Sequence, residues 1–139
     1  MDISDLGPSP LVIAIDRLAR ENSNYRATLW TGTRFQVTLM SISPGADIGL
    51  EQHVTHDQLL CIVQGIARVR MGHDLEELRE WHAAAGDVVI VPAGAWHDLV
   101  NTGVEPLRLF SLYAPPQHAH GTVHATRDVA LAAEAPETV

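Results

Sequence analysis

The sequence contains one cysteine, Cys61, and no lysine at all; its nine basic residues are every one arginine. A single thiol excludes an intrachain disulfide, so nothing points to an oxidising compartment and the cytoplasm is the expected setting. The arginines form no run, and the formal charge is −8 at pH 7. That balance speaks against nucleic acid and anionic membrane surfaces as partners, since both want a basic patch. Long apolar runs are missing as well: no stretch approaches the roughly 20 residues of a transmembrane helix. The opening MDISDLGPSP has neither the basic start nor the apolar stretch of a secretory leader. Internal repeats and low-complexity blocks are also lacking.

What is present is a dominant β signal. Short runs rich in Val, Ile and Leu alternate with Gly- and Pro-containing turns, at a length of 139 residues that suits one domain. The expected strands are Leu11–Ile15, Thr28–Trp30, Phe35–Ile42, Ile48–His53, Gln58–Val63, Ala67–Met71, Asp87–Val91, His97–Asn101 and Leu107–Tyr113. Turns fall at TGT 31–33, SPGAD 43–47, QG 64–65, AAAG 83–86, PAGA 92–95 and NTG 101–103. Many short strands with frequent turns predict an all-β barrel or sandwich. Leu11–Glu21 lacks clean alternation and is read as a strand followed by one helical turn. Thr126–Glu134 reads as a short helix, with Thr126 as cap, Asp128 in the first turn and alanines in the body. The domain reading is therefore an arm over residues 1–10, a barrel over 11–125, and a helix and tail over 126–139.

Chemistry concentrates in three places. Glu51 precedes His53 by two positions, so on a strand both side chains leave one face. After the turn VTHD, Gln58 opens the next apolar run, and much later the strand GDVVIVPAGAWH delivers His97. A carboxylate, an amide oxygen and two imidazoles are competent ligands for a divalent ion of the first transition row. Facing into a barrel without an ion, each unsatisfied group would cost on the order of 1–3 kcal/mol.

Two segments then carry a family resemblance. GADIGLEQHVTHDQLLCIVQG (45–65) is similar to the first motif of the cupins, G-x5-H-x-H-x(3–4)-E-x6-G, with Glu51 in place of its first His and Gln58 in place of its Glu. GDVVIVPAGAWHDLVN (86–101) resembles the second motif, G-x5-P-x-G-x2-H-x3-N, at every fixed position. The texture of small single-domain cupins extends over about residues 22–127. The resemblance implies a double-stranded β-helix, or jelly-roll barrel, with a short C-terminal helix. It also implies one divalent metal ion per chain (Zn, Mn, Fe, Ni or Cu) held by Glu51, His53, Gln58 and His97. The carboxylate has moved within the set and has not vanished, so the ligand charge of the common three-His-one-Glu site is kept. The His/Gln/Glu mixture is similar to the zinc shell of cupin sugar-phosphate isomerases. Were Gln58 to turn away, three protein ligands and water would remain. Cupins pair through a sheet and exchange N-terminal strands, which implies a homodimer with Leu11–Ile15 as the exchanged strand.

The remaining candidates have blander readings. His56 is expected at the rim, and Cys61 as a small buried hydrophobe. His73 and His82 flank the charged insertion HDLEELREWH, a solvated hairpin or helical turn. His118, His120 and His124 in QHAHGTVH could bind adventitious metal; the APPxHxxGTVH-like pattern of resembling proteins implies a latch over the barrel mouth or a dimer contact, a structural latch being favoured over substrate binding. Trp96, Met40, Tyr113 and Phe110 read as core or rim packing. Arg34, Arg68, Arg70, Arg79 and Arg108 lie in or near expected strands, and one facing inward would anchor an anionic substrate. The functional expectation is a small metalloenzyme acting on a small oxygenated organic molecule by Lewis-acid, isomerase- or lyase-like chemistry. The alternatives are a metal-dependent dioxygenase and a non-catalytic small-molecule-binding barrel. No unligated acid or base is evident by spacing.

Overall fold

A computed structural model describes residues 4–134, so the start of the expected arm and the tail after Glu134 lie outside the described residues. The chain runs α1 (Ile15–Glu21), β1 (Arg26–Thr31), β2 (Gln36–Ile42), β3 (Glu51–Gln52), β4 (Asp57–Gln64) and β5 (Ile66–Gly72). It continues through β6 (Arg79–Ala84), β7 (Val88–Val91), β8 (Trp96–Asn101), β9 (Leu107–Ala114), β10 (Val123–His124) and α2 (Arg127–Glu134). Two antiparallel sheets form, one ordered β10-β1-β2-β9-β4-β7 and the other β3-β8-β5-β6. One continuous core joins them: Met40, Ile42, Leu60, Ile62, Leu107 and Leu109 from the first sheet meet Ala67, Val69, Ala83 and Leu99 from the second. This is the expected all-β jelly-roll barrel with a short C-terminal helix. No helix among the described residues is long and apolar enough to cross a membrane.

The barrel interior is apolar at one end and polar at the other. Along β2, the inward positions change from Gln36 and Thr38 to Met40 and Ile42; along β9 they change from Leu107 and Leu109 to Ser111 and Tyr113. In β4, Gln58 shares the inward face with Leu60 and Ile62. Antiparallel register brings Gln36 opposite Tyr113 and Tyr113 opposite Gln58, so the polar ends of three strands coincide. Period-two alternation thus builds an apolar floor and a polar mouth from the same strands.

The expected strand at Leu11–Ile15 is not formed. Residues 11–14 are irregular, Val12 is fully exposed, and Ile15–Glu21 is a two-turn helix. Apolar Ile15, Leu18 and Ala19 fall at helical spacing and pack on Leu29, Leu39 and Phe110, outside the first sheet. Asp16–Arg20 (2.8 Å) and Arg17–Glu21 (3.7 Å) pairs link successive turns on the solvent side. The strand expected at Ile48–His53 shrinks to Glu51–Gln52, preceded by an isolated Asp47–Val100 bridge. The charged insertion resolves as a hairpin. Glu77 N–H bonds Asp74 carbonyl oxygen (3.0 Å), and Arg79–Ala84 returns as an edge strand on β5. Its exposed side chains hide the alternation from which a strand is read; Trp81 instead lies under Arg79, 4.8 Å from ring centre to guanidinium.

After β9 the chain crosses the mouth as a latch and enters α2. Thr126 Oγ1 accepts from Val129 N–H at 3.2 Å, the cap expected for this helix. Arg127 ties it down through Asp47, with Nε on the carbonyl oxygen (2.9 Å) and an NH2 group on Oδ1 (2.7 Å). Ala130 then drops into the core.

Candidate metal centre

Local backbone chemistry places the first residues of the site. In the PAGA turn Gly94 adopts φ +87°, a left-handed conformation that disfavours any side chain. Its N–H donates to His53 carbonyl oxygen (2.9 Å), and its own carbonyl accepts from Gln52 Nε2 (3.0 Å). The turn that delivers His97 therefore also holds the strand carrying Glu51 and His53. In the β3–β8 ladder Glu51 stands directly opposite His97, so both side chains leave the same face.

The result is a compact cluster. One Glu51 oxygen lies 3.6 Å from His53 Nε2 and 3.6 Å from His97 Nε2, with the two rings 5.4 Å apart. One ligand atom from each of the three residues lies within 4.8 Å of the other two, a spacing suited to a shared ion. His97 Nδ1 is 3.3 Å from Ala95 carbonyl oxygen. A carbonyl only accepts, so Nδ1 carries a proton in this contact, which leaves Nε2 as the atom an ion at the cluster would take. Burial pushes the Glu51 carboxyl up, but the neighbouring His53 and His97 outweigh it and hold the group at about 2. The carboxylate is thus ionised over the physiological range.

Gln58 is 3 % exposed, on the inner face of β4 opposite Tyr113, whose ring packs edge-on to His53 at 6.0 Å. Its Oε1, His53 Nε2 and His97 Nε2 are all buried, and all lack a hydrogen-bond partner. His53 Nε2 and His97 Nε2, each 3.6 Å from the Glu51 carboxylate, leave on the order of 1–3 kcal/mol unrecovered at each atom, as does Gln58 Oε1 on β4. A divalent cation would satisfy the two imidazole nitrogens together with the carboxylate, so these residues fit a metal ion.

Beyond the cluster opens a cavity of about 520 Å³, lined among others by Glu51, His53, Tyr113, His118, Thr122 and His124. Tyr113 is fully enclosed; burial, aided by the Glu51 charge, pushes its phenol up to about 12, so it stays protonated. His118, on the latch itself, lines this cavity, where burial and then the Arg26 charge lower its imidazole to about 3 and keep it neutral.

Of the other candidates, His56 sits at the rim, with Nε2 3.2 Å from Pro116 carbonyl oxygen. Cys61 is half-buried on the outer sheet face opposite Val88 and Phe110, not in the core; burial raises its thiol, which suits an inert side chain. His82 is on the exposed β6, and His73 lies beside the Gly94 turn. His118 and His124 line the cavity, whereas His120 faces the N-terminal arm, 2.9 Å from Gly7 carbonyl oxygen. Met40 is core, and Phe110 packs outside the first sheet under α1.

Arg26 was absent from the arginines considered above, yet it is buried at 3 % exposure. It shares the inner face with Met40 and His124 through the β1 ladders. The signal was the alternation in RATLWT, where Ala27 and Leu29 are the apolar pair. Leu29 faces away from the barrel and packs with α1, so an apolar-inside reading inverts the strand.

Comparison with known proteins agrees with this architecture. The family model for the cupin domain matches residues 38–113. The uncharacterized protein YrkC of Bacillus subtilis is 49% identical over 133 residues, spanning 95% of this chain and 72% of that protein. The crystal structure of BH2720 from Bacillus halodurans superposes with a TM-score of 0.92 at 46% identity, covering 94% of this chain and 99% of that one. An oxalate decarboxylase of Bacillus subtilis is more distant, with a TM-score of 0.58 and 26% identity over 63% of this chain and 23% of that one. With fold, motifs and family model in agreement, the chain belongs to the cupin family.

Proposed function

We propose that this cupin binds one divalent metal ion per chain through Glu51, His53, Gln58 and His97, and uses it to act on a small oxygenated organic molecule. The observation that carries this reading is the convergence of the buried, partnerless ring nitrogens of His53 and His97 on the Glu51 carboxylate, with Gln58 Oε1 also buried and partnerless on the inner face of β4. A bound ion supplies Lewis-acid polarisation of a carbonyl or hydroxyl oxygen, the chemistry of isomerases and lyases. The chain's own groups do the rest. The cavity of about 520 Å³ has the size of a small-molecule site. Tyr113 offers a protonated phenol at the cavity wall.

The test is elemental analysis of purified wild type beside His53→Ala and His97→Ala. Near-stoichiometric metal in wild type, lost in both variants, is the expected result. Zinc favours Lewis-acid chemistry, while iron, manganese or copper favours the dioxygenase alternative. Wild type that stays metal-free after exposure to Zn, Mn, Fe, Ni and Cu overturns the reading and leaves a small-molecule-binding barrel.

The same reading includes a homodimer in the cytoplasm. Its support is an apolar outer face on β4, β7 and β9, where Leu59 lies opposite both Ile90 and Leu112, and Val88 and Ile90 are about half exposed or more. Strand exchange through Leu11–Ile15 has no basis in the fold, because those residues form no strand.

A further inference from the structure

One polar group in the cavity is used neither by the ligand cluster nor by the hydrogen bonds of the fold. His118 Nε2 is buried and has no hydrogen-bond partner, although the residue lines the same cavity as Glu51 and His53. It stands outside the group of mutually close ligand atoms, which among the described residues comprises Glu51, His53 and His97. Its position is set with care. Gln36, wholly buried on β2, grips the backbone at His118 from both sides. Gln36 Nε2 donates to His118 carbonyl oxygen (2.7 Å), and Oε1 accepts from the N–H groups of Gln117 (3.1 Å) and His118 (2.9 Å). The ring then stacks edge-on to Tyr113 at 5.3 Å.

A latch that served only to close the barrel would need the backbone grip, not a buried imidazole turned toward the ligand cavity. The ring is neutral there, held so by burial and Arg26. A neutral imidazole presents either a lone pair or an N–H at Nε2. Beside a cluster that would hold a dication, the lone pair is the form the ion's charge favours. The unmet need is therefore a hydrogen-bond donor on the ligand, set beside the oxygens that a metal ion would take.

We propose that His118 Nε2 accepts a hydrogen bond from the hydroxyl of a small molecule that chelates the metal, so that the cavity selects α-hydroxy carbonyl compounds over their O-methyl counterparts. This rests on the metal reading above and adds a ligand class to it. It also assigns His118 a role in contact with that ligand.

The experiment uses zinc-loaded protein of verified metal content, titrated calorimetrically with glycolate and with methoxyacetate. Methoxyacetate keeps the carboxylate and the second oxygen but has no hydroxyl proton. The readout is the ratio of the two affinities, compared among wild type, His118→Phe and His118→Gln. His118→Phe lowers the ratio about five- to tenfold, the worth of one neutral hydrogen bond, with zinc content unchanged. His118→Gln, which keeps an acceptor, restores most of it. Ring-nitrogen NMR of loaded wild type needs no variant: glycolate shifts the His118 Nε2 resonance and methoxyacetate does not. An unchanged ratio, equal weakening of both ligands, or a loaded wild type that ignores glycolate overturns the role of His118 and leaves the metal site standing. Loss of zinc in His118→Phe makes the residue a ligand and overturns it too. A wild type that takes up no zinc, by contrast, defeats the metal reading first and this inference with it.

Discussion

At the scale of single residues, Gln58 separates a metal centre from an ordinary polar core. An amide oxygen buried on a strand without a partner weakens a metal-free barrel, whereas a leucine of similar size would not. Gln58→Leu is therefore expected to leave the metal-stripped protein as stable as wild type or about 1 kcal/mol more stable. Its metal affinity should fall at least about tenfold, the scale that even outer-sphere partners of a metal site show. Urea unfolding in chelator, beside a competition titration for the metal, checks both halves. A variant that loses stability without losing metal would return Gln58 to a structural role. Gln58 was legible beforehand because its spacing from His53 matched a motif, and its inward direction follows from alternation with Leu60 and Ile62. Arg26 and His118 were not legible in the same way. The inward face of Arg26 depends on α1 covering the opposite side of β1, and the site of His118 depends on a latch that folds back from the end of β9.

At the scale of elements, the latch is held by the N-terminal arm. The Asp5 side chain has no exposed surface. Its Oδ1 accepts from the N–H groups of Gly7 (3.0 Å) and Thr31 (2.9 Å), and its Oδ2 from Thr31 Oγ1 (2.5 Å) and Gly121 N–H (3.2 Å). Thr31 Oγ1 in turn receives Gln36 Nε2 at 2.9 Å, so arm, β1, β2 and latch form one chain of hydrogen bonds ending at His118. Burial alone would raise the Asp5 carboxyl, but these donors, led by Thr31, bring it below its ordinary value. The sign follows: a carboxyl depressed in the folded state contributes stability above its unfolded value near 4, and loses it as pH falls through the folded value. Asp5→Ala is expected to cost about 1–3 kcal/mol at pH 7. The gap between wild type and variant should narrow as the pH drops below about 4. Urea unfolding at pH 7, 5, 4 and 3 measures it, and hydrogen exchange should show residues 117–122 opening first in the variant. A constant gap across that range would mean that the Asp5 charge is not what holds the arm.

At the scale of the whole molecule, metal and fold are linked by mass action. A site that forms only in the folded barrel stabilises it by ~4 kcal/mol when free metal exceeds its dissociation constant a thousandfold. For a domain of this size that is a melting shift on the order of 10 °C, reversed by chelator. Thermal scans with and without metal test this, and His97→Ala should abolish the shift. The dimer reading makes a separate prediction. Light scattering is expected to give about twice the 15.1 kDa chain mass, and Ile90→Lys should reduce it to one, since a charge on that face cannot be buried unpaired. A monomeric wild type would leave the face formed by Val88, Ile90, Leu59 and Leu112 without a partner.

The sequence by itself determined the barrel and its main strands, and the cupin resemblance pointed to Glu51, His53 and His97, which the fold brings together, because these depend on local periodicity, turn glycines and motif spacing. Gly94 illustrates it: a turn needing φ +87° admits little else, and the spacing from it to His97 follows. Only the tertiary structure decided that Leu11–Glu21 yields a helix and no strand, since that helix is stabilised by packing on Leu29, Leu39 and Phe110. Only the fold, too, turned the polar faces of β1 and β2 inward and brought Asp5, Gln36 and His118 together across more than a hundred residues of chain. Such contacts carry no periodic trace in the sequence; their partners become neighbours only once the barrel has closed.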